Sequence, residues 1–263
     1  MQLGSDGIID VMTMSLSSTL PPPYAQPLRL GRALAATGHA VVSPEGLCSL
    51  LDTDLNTLDA LRSTWDDLPP DAYLRDGGRY RRRRHACYVV EGTQVEPVPH
   101  RAHWQPVEYN ALHGGLERWF EPMTPAVTQQ PVWSRLLVTL AGTCSALKGA
   151  QRWYVEAHQF RIDTTDGIGR PTPEGAHRDG VDFVAVVLVG REGIKGGETR
   201  VFEAAGPHGI RFTMTQPWTM LMLDDAKVIH ESTPIQPLHE HGHRDTLVLT
   251  FRSGGFQGPS TAA

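Results

Sequence analysis

His177 and Asp179 stand two residues apart in the segment PTPEGAHRDGVDFV, residues 171–184, after a Pro/Gly-rich turn and before an apolar run. Two chemistries use that pair. A His-Arg-Asp triplet opens the catalytic loop of protein kinases, and a His-x-Asp pair supplies two of three ligands to a metal ion. The first requires an Asn five residues beyond the Asp, where this chain has Val184. It also requires a glycine-rich loop and an Asp-Phe-Gly segment in the right order, and neither is present. The second needs one more ligand. In an extended segment residues i and i+2 face the same way, so His177 and Asp179 project together. DDAKVIHEST supplies His230, 53 residues after His177 (230 − 177 = 53). Two histidines and one carboxylate leave adjacent coordination positions open, which suits non-haem Fe(II) and oxygen chemistry. Arg244 and Thr246 follow in HRDTLVLTFR, with Arg244 14 residues past His230 (244 − 230 = 14). They share one strand face. A guanidinium fork and a hydroxyl fixed in an apolar setting suit a carboxylate-bearing cosubstrate.

These residues need a rigid frame. From residue 152 the chain breaks into short segments rich in β-branched and aromatic residues: RWYVEAHQFRID, VDFVAVVLV, GETRVFE, IRFTMT, WTMLMLDD, KVIHEST and DTLVLTFR. Each is bounded by turn residues, and no helical pattern separates them. That predicts an antiparallel sandwich or barrel rather than a βαβ sheet. The first half is different. PLRLGRALAATGH has helical period, Ser43 caps SPEGLCSLL with Pro44 at the first helical position, and TDLNTLDALRSTWDDL continues the helical period. GGRYRRRRHACYVVEG reads as a strand, and residues 131–147 form the longest helix. The fold class is therefore α+β, mainly β. We expect one domain over 27–263: a helical and strand buttress at 27–150, a barrel core at 151–253 and a tail at 254–263. Residues 1–26, Ser/Pro-rich and without period, read as a flexible leader.

Bulk composition excludes several classes. The chain has 263 residues, 40% hydrophobic and 20% charged, which is globular rather than disordered. A net charge of −5 argues against nucleic acid as a partner. Cys48, Cys87 and Cys144 are isolated, so neither a disulfide framework nor a thiolate zinc site is expected, and a cytoplasmic location fits. No secretory signal is seen and no apolar run is long enough to span a bilayer. A homodimer is compatible with this composition.

The triad and its Arg-x-Thr, together with HQFRI, PTPEGAHRDGVDFV, GGETRVF, RDTLVLTF, GGRYRRRR and ERWFEP, resemble the Fe(II)/2-oxoglutarate dioxygenases, and most closely the bacterial L-amino-acid hydroxylases. Those include enzymes of L-isoleucine and of N-succinyl branched-chain amino acids. The resemblance spans about residues 70–253. It implies a double-stranded β-helix, a jelly-roll or cupin-like barrel buttressed by N-terminal helices. It implies Fe(II) on His177, Asp179 and His230 as the catalytic centre. It implies 2-oxoglutarate held by Arg244 and Thr246, O2 as oxidant, and succinate and CO2 as products. The implied substrate is an L-amino acid or an N-substituted one, such as an N-succinyl amino acid, hydroxylated at an aliphatic or aromatic side-chain carbon. The alternatives are a non-catalytic or isomerase-type metal-binding cupin-like barrel, and a dioxygenase acting on a peptide or protein side chain. A simple metal-binding barrel has no use for the Arg244 clamp.

Substrate-binding candidates follow from strand alternation. In RYRRRRHACYVV, Arg81 and Arg83 share a face with Cys87, and Arg82 and Arg84 share one with Ala86 and Tyr88. At least one pair must turn inward, and Arg83 is the candidate for an anionic group of the substrate. In HQFRID, Gln159 and Arg161 share one face and His158 and Phe160 the other. Gln159 and Arg161 are candidates, while His158 reads as a packed or surface histidine. Gly77 and Gly78 serve a turn or leave room for substrate, and Phe256, set between glycines, could close the pocket. His239, His241 and His243 read as a solvent loop. Residues 163–175 read as an active-site loop, and Trp218, Met220 and Met222 as core.

Overall fold

The structure is a computed structural model that describes residues 19–110 and 112–259. Helix α1 (Leu30–Thr37) buries Leu30 and Leu34 and stops at Gly38, whose φ of 74° is the left-handed turn that a glycine adopts freely. Strand β1 (His39–Val42) follows. Ser43 then caps α2 (Pro44–Leu51), its Oγ accepting from the Gly46 N–H at 3.1 Å. The helical period beyond residue 53 resolves into two pieces, α3 (Leu55–Asp59) and a 3-10 turn at Arg62–Trp65. Strands β2 (Arg81–Glu91) and β3 (Gln94–Pro97) form a hairpin. A short α4 (Pro125–Thr128) precedes α5 (Pro131–Lys148), which matches the helix expected there.

The rest is strand: β4 (Trp153–Asp163), β5 (Phe183–Glu192), β6 (Ile194–Gly196), β7 (Thr199–Glu203), β8 (Gly209–Phe212), β9 (Met220–Asp224), β10 (Val228–Ser232), β11 (Ile235–Pro237) and β12 (His243–Arg252). All strand pairs are antiparallel. The main sheet runs β1-β9-β5-β12-β4-β2-β3, a second runs β10-β7-β8, and β11 pairs with β6. The three-residue β6 and β11 are too short for any period to register in sequence.

The main sheet is two-faced. Val155, Ala157, Val187, Leu247, Leu249 and Phe251 pack with Leu34, Leu51, Trp65, Trp133 and Leu137 of the helical layer. Each fully buried Leu here contributes roughly 2 kcal/mol by leaving water. The other face looks toward β10-β7-β8. Part of that gap is filled by Val184, Leu188, Val201, Phe212 and Leu221, and the rest is a polar cavity.

The chain docks earlier than the expected boundary at residue 26. Leu20 accepts from the Thr213 N–H at 2.8 Å, and the Ala25 N–H donates to Val41 at 2.7 Å. The earlier part of the expected leader, residues 1–18, lies outside the described residues, as do 260–263. Among the described residues no helix is long and apolar enough to cross a membrane.

Candidate active site

His177 and Asp179 do not lie on a strand. They sit in the loop before β5, and three interactions aim them. His177 makes an isolated bridge to His230 on β10, with each N–H donating to the other's carbonyl at 3.0 Å. Asp225, wholly buried, accepts from the N–H groups of Asp179, Gly180 and Val181 at 3.0, 2.8 and 3.2 Å. Gln257 donates to the carbonyls of Asp179 and Gly180. A carboxylate cradled by three consecutive N–H groups fixes the turn that carries Asp179.

The three side chains converge. One donor atom from each of His177, Asp179 and His230 lies within 4.8 Å of the others. His177 Nδ1 donates to the Gly175 carbonyl at 3.0 Å, which leaves Nε2 bare toward Asp179 and Glu174. Burial pulls the His177 pKa down, but Asp179 and Glu174 outweigh it and the net shift is upward. Burial, with His177 next, lowers His230 to about 3, so its ring stays neutral at ordinary pH. Its Nδ1 is buried without a hydrogen-bond partner. Two neutral-capable imidazoles, a carboxylate and extra acid nearby fit a divalent cation.

The cavity beside the triad is lined by β12 through Arg244, Thr246, Val248 and Thr250. Arg244 is 3% exposed, and its Nε and Nη2 have no partner. Burial first, and Arg191 second, lower it to about 10, so it is a cation at neutral pH. A buried guanidinium with two free donors is set for a carboxylate. Thr246 lies on the same strand face.

Three further guanidiniums line the cavity: Arg81 and Arg83 on β2, on the same sheet face as Arg244 and two strands away from it, and Arg118 from the 103–118 segment. Arg81, Arg83 and Arg118 are buried, and Arg81 Nη2, Arg83 Nε and Arg118 Nε have no partners. Asp71 compensates them in part, at 2.7 Å from Arg81 and 3.8 Å from Arg83. Arg83 lies between the Phe120 and Phe160 rings, 3.7 and 4.3 Å from their centroids. Burial, followed by the charge of Arg81, lowers Arg118 to about 10. Beside this cluster His85, His103 and His158 surround Glu156. The inward pair expected in the arginine run is therefore Arg81 and Arg83. Arg82 faces Asp163, and Arg84 donates to the carbonyls of Pro122 and Asp67.

Phe256 lines the cavity, packed on Arg101 and edge-on to Tyr154. Three other candidates are not brought there. Gln159 is fully buried on the helical side, donating to Thr64 Oγ1. Arg161 shares that side and is spent on Asp245 and Asp66. The alternation was right but the face was not. On β4 the odd positions Trp153, Val155 and Ala157 form the apolar stripe that meets the helices. The cavity takes Tyr154, Glu156, His158 and Phe160. Gly78 lies outside the cavity lining, in the turn before β2, with its N–H on Asp76 and its Cα against Tyr80.

Sequence reasoning missed Arg118, Gln105, His103, Glu156, Glu174 and Asp225. The first three come from the 103–118 segment, which has no periodic signal. Glu156 carried a signal, as a charged residue in the same strand parity as His158.

The pattern of a family described as 2OG-Fe dioxygenase matches residues 62–250. The chain is similar in structure to a bsmA homolog from Methylobium petroleophilum PM1, at 56% identity and TM-score 0.85 over 90% of this chain and 97% of that one. It shares a fold with IDO from Bacillus thuringiensis, at 15% identity and TM-score 0.68 over 88% and 100% of the two chains. It shares a fold also with the Fe(II)/(alpha)ketoglutarate-dependent dioxygenase TqaL, at 19% identity and TM-score 0.67 over 86% of each. No curated protein matches the sequence.

Proposed function

The chain belongs to the 2OG-Fe dioxygenase family, and from that premise we propose that it hydroxylates a small anionic substrate, an L-amino acid or an N-substituted L-amino acid. Enzymes of this family use Fe(II), 2-oxoglutarate and O2. Bound iron supplies the oxidising power for an unactivated C–H bond, while 2-oxoglutarate is converted to succinate and CO2. The chain supplies position and charge. His177, Asp179 and His230 hold the metal. Arg244 grips the distal carboxylate of 2-oxoglutarate, with Thr246 beside it. Arg83, wedged between two rings, holds an anionic group of the substrate. Phe256 covers the mouth and limits water. We read the two facing sheets as the halves of a double-stranded β-helix.

The observation that carries the substrate reading is the cluster of buried guanidinium donors. Arg81, Arg83 and Arg118 line the triad's own cavity, each with an unpartnered N–H, and Asp71 pairs with Arg81 and Arg83 but not with Arg118. Buried guanidinium N–H groups left without acceptors are costly, and an anionic ligand relieves that cost. The test is succinate release from 2-oxoglutarate with Fe(II) and ascorbate, run against free and N-succinylated L-leucine, isoleucine, valine, methionine and phenylalanine. Stimulation by one subset is expected. No stimulation by any member, with 2-oxoglutarate consumption intact, would discard amino acids.

A further inference from the structure

Gln105 touches both the candidate metal triad and the arginine cluster. Its Nε2 donates to Asp179 Oδ1 at 3.2 Å. Its Oε1 accepts from Arg118 Nη2 at 2.9 Å and from Asn110 Nδ2 at 3.1 Å. Two donors on the oxygen fix the orientation of the amide, so the nitrogen must face the carboxylate. The residue is buried, as are Asn110 and Arg118. The segment that carries it is closed on itself. His103 and Arg118 bridge its two ends, with their N–H groups and carbonyls paired at 2.9 and 3.0 Å. It also presses on the turn that carries Asp179. Gly180 has φ 72°, and a Cβ there would lie 2.4 Å from Tyr109 Cδ2.

We propose that Gln105 is a positioning residue that links the anion-binding guanidinium of Arg118 to the metal ligand Asp179. This rests on Asp179 being a ligand, as read above. Asp179 Oδ2 lies 3.7 Å from His230 Nε2, while Oδ1 is the oxygen that Gln105 holds. The hydrogen bond therefore restricts rotation of the carboxylate and leaves one oxygen toward His230. Arg118 donates to the same amide, lines the cavity, and has no partner for its Nε. An anion drawing on Arg118 thus acts on the group that orients Asp179. The connection is a continuous hydrogen-bonded path of two bonds.

The test uses Co(II) as a spectroscopic probe, with affinity read from its visible absorption in the purified full chain. Gln105→Met keeps length and packing but removes the donor, and Gln105→Asn serves if that variant does not fold. Loss of such an outer hydrogen bond is expected to weaken Co(II) by roughly 10- to 100-fold. Arg118→Leu is expected to weaken Co(II) a few-fold in the wild-type background and to add nothing in Gln105→Met, because the path is already cut. Equal effects of Arg118→Leu in both backgrounds overturn the link. Unchanged Co(II) affinity in Gln105→Met, while Asp179→Ala abolishes binding, overturns the positioning role and leaves the triad standing. Unchanged binding in Asp179→Ala instead overturns the triad reading itself.

Discussion

Two clusters of histidine and carboxylate stand near one cavity, and their surroundings differ in charge. His177, Asp179 and His230 have Asp225 and Glu174 as neighbours. His85, His103, Glu156 and His158 have Arg83, Arg101 and Arg118. Residue types would favour the second group, which has four ligands rather than three and is buried throughout. Its protons decide otherwise. Arg83 Nη2 lies 2.7 Å from His158 Nδ1, and a guanidinium only donates. His158 Nδ1 must therefore be bare and Nε2 protonated, facing Glu156. His103 Nδ1 donates to the same carboxylate, and His85 Nε2 lies 3.6 Å from it. The imidazoles are neutral donors gathered on one carboxylate. A cation there would displace those protons and meet three guanidiniums. The geometry of ligands is thus insufficient without the tautomers and the surrounding charge.

The contrast breaks most sharply at His177. His177→Ala is expected to reduce bound Fe(II) from one equivalent to none and to abolish turnover, with little change in melting temperature. Metal analysis and succinate release check this. Retained turnover would mean that the wrong cluster holds the iron. Glu156→Gln supplies the converse. It should leave one equivalent of metal bound but cost about 3 kcal/mol of stability, because the buried donors lose their charged acceptor. Loss of metal in Glu156→Gln with the triad intact would reverse the assignment.

Arg244→Ala comes next. A charge-assisted pair of this kind is worth about 1.5–3 kcal/mol, so the KM for 2-oxoglutarate should rise roughly 10- to 100-fold. Arg244→Lys keeps the charge but loses the fork and should fall between. An unchanged KM in Arg244→Ala would move the cosubstrate to Arg81, Arg83 and Arg118.

The triad was legible because its residues lie in strong local patterns: His177-x-Asp179 before an apolar run, His230 in a β-rich stretch, and Arg244-x-Thr246 after it. Helix α5, the cap at Ser43 and the main strands were legible for the same reason. Two kinds of information were not. Pairing across the chain is one: His103 and Gln105 reach the cavity only because a bridge between His103 and Arg118 closes a loop without periodicity. The choice between the two faces of β4 is the other. Alternation separates Gln159 and Arg161 from His158 and Phe160, but only packing says which set meets the helices.

Acid should distinguish the clusters too. Burial, opposed by Glu156, lowers His103 to about 3, whereas the unfolded chain takes up a proton near pH 6.5. The folded state excludes that proton, so stability falls as pH drops below 6.5. By pH 5 the loss from His103 alone is about 2 kcal/mol. Glu156 is shifted well below the usual carboxylate range; burial opposes this, but His103 and His85 win. Its stabilisation is full above the unfolded value near 4.3 and is lost only in stronger acid. The cluster therefore fails in two steps, histidine first. Urea unfolding between pH 7 and 5 should show a slope in the wild type that His103→Gln lowers by roughly 1 kcal/mol per pH unit, which is the 2 kcal/mol spread over two units. An unchanged slope would mean that His103 is already charged in the fold.

The smallest expected effect on activity concerns the face of β4. Arg161 Nη2 lies 2.7 Å from Asp245 and 2.9 Å from Asp66, away from the cavity. Arg161→Ala removes the bidentate partner of the buried Asp245 carboxylate and should cost about 3 kcal/mol of stability, with no effect on the cavity. It should leave the substrate KM where it was. Arg83→Ala on the neighbouring strand should raise that KM while uncoupled 2-oxoglutarate turnover persists. The two variants remove the same group from strands that pair directly, with Arg82 opposite Arg161 and Arg83 opposite Phe160. Only the parity differs. A raised substrate KM in Arg161→Ala would mean that the sheet presents its other face to substrate, and the contrast between its two sides would have to be drawn the other way.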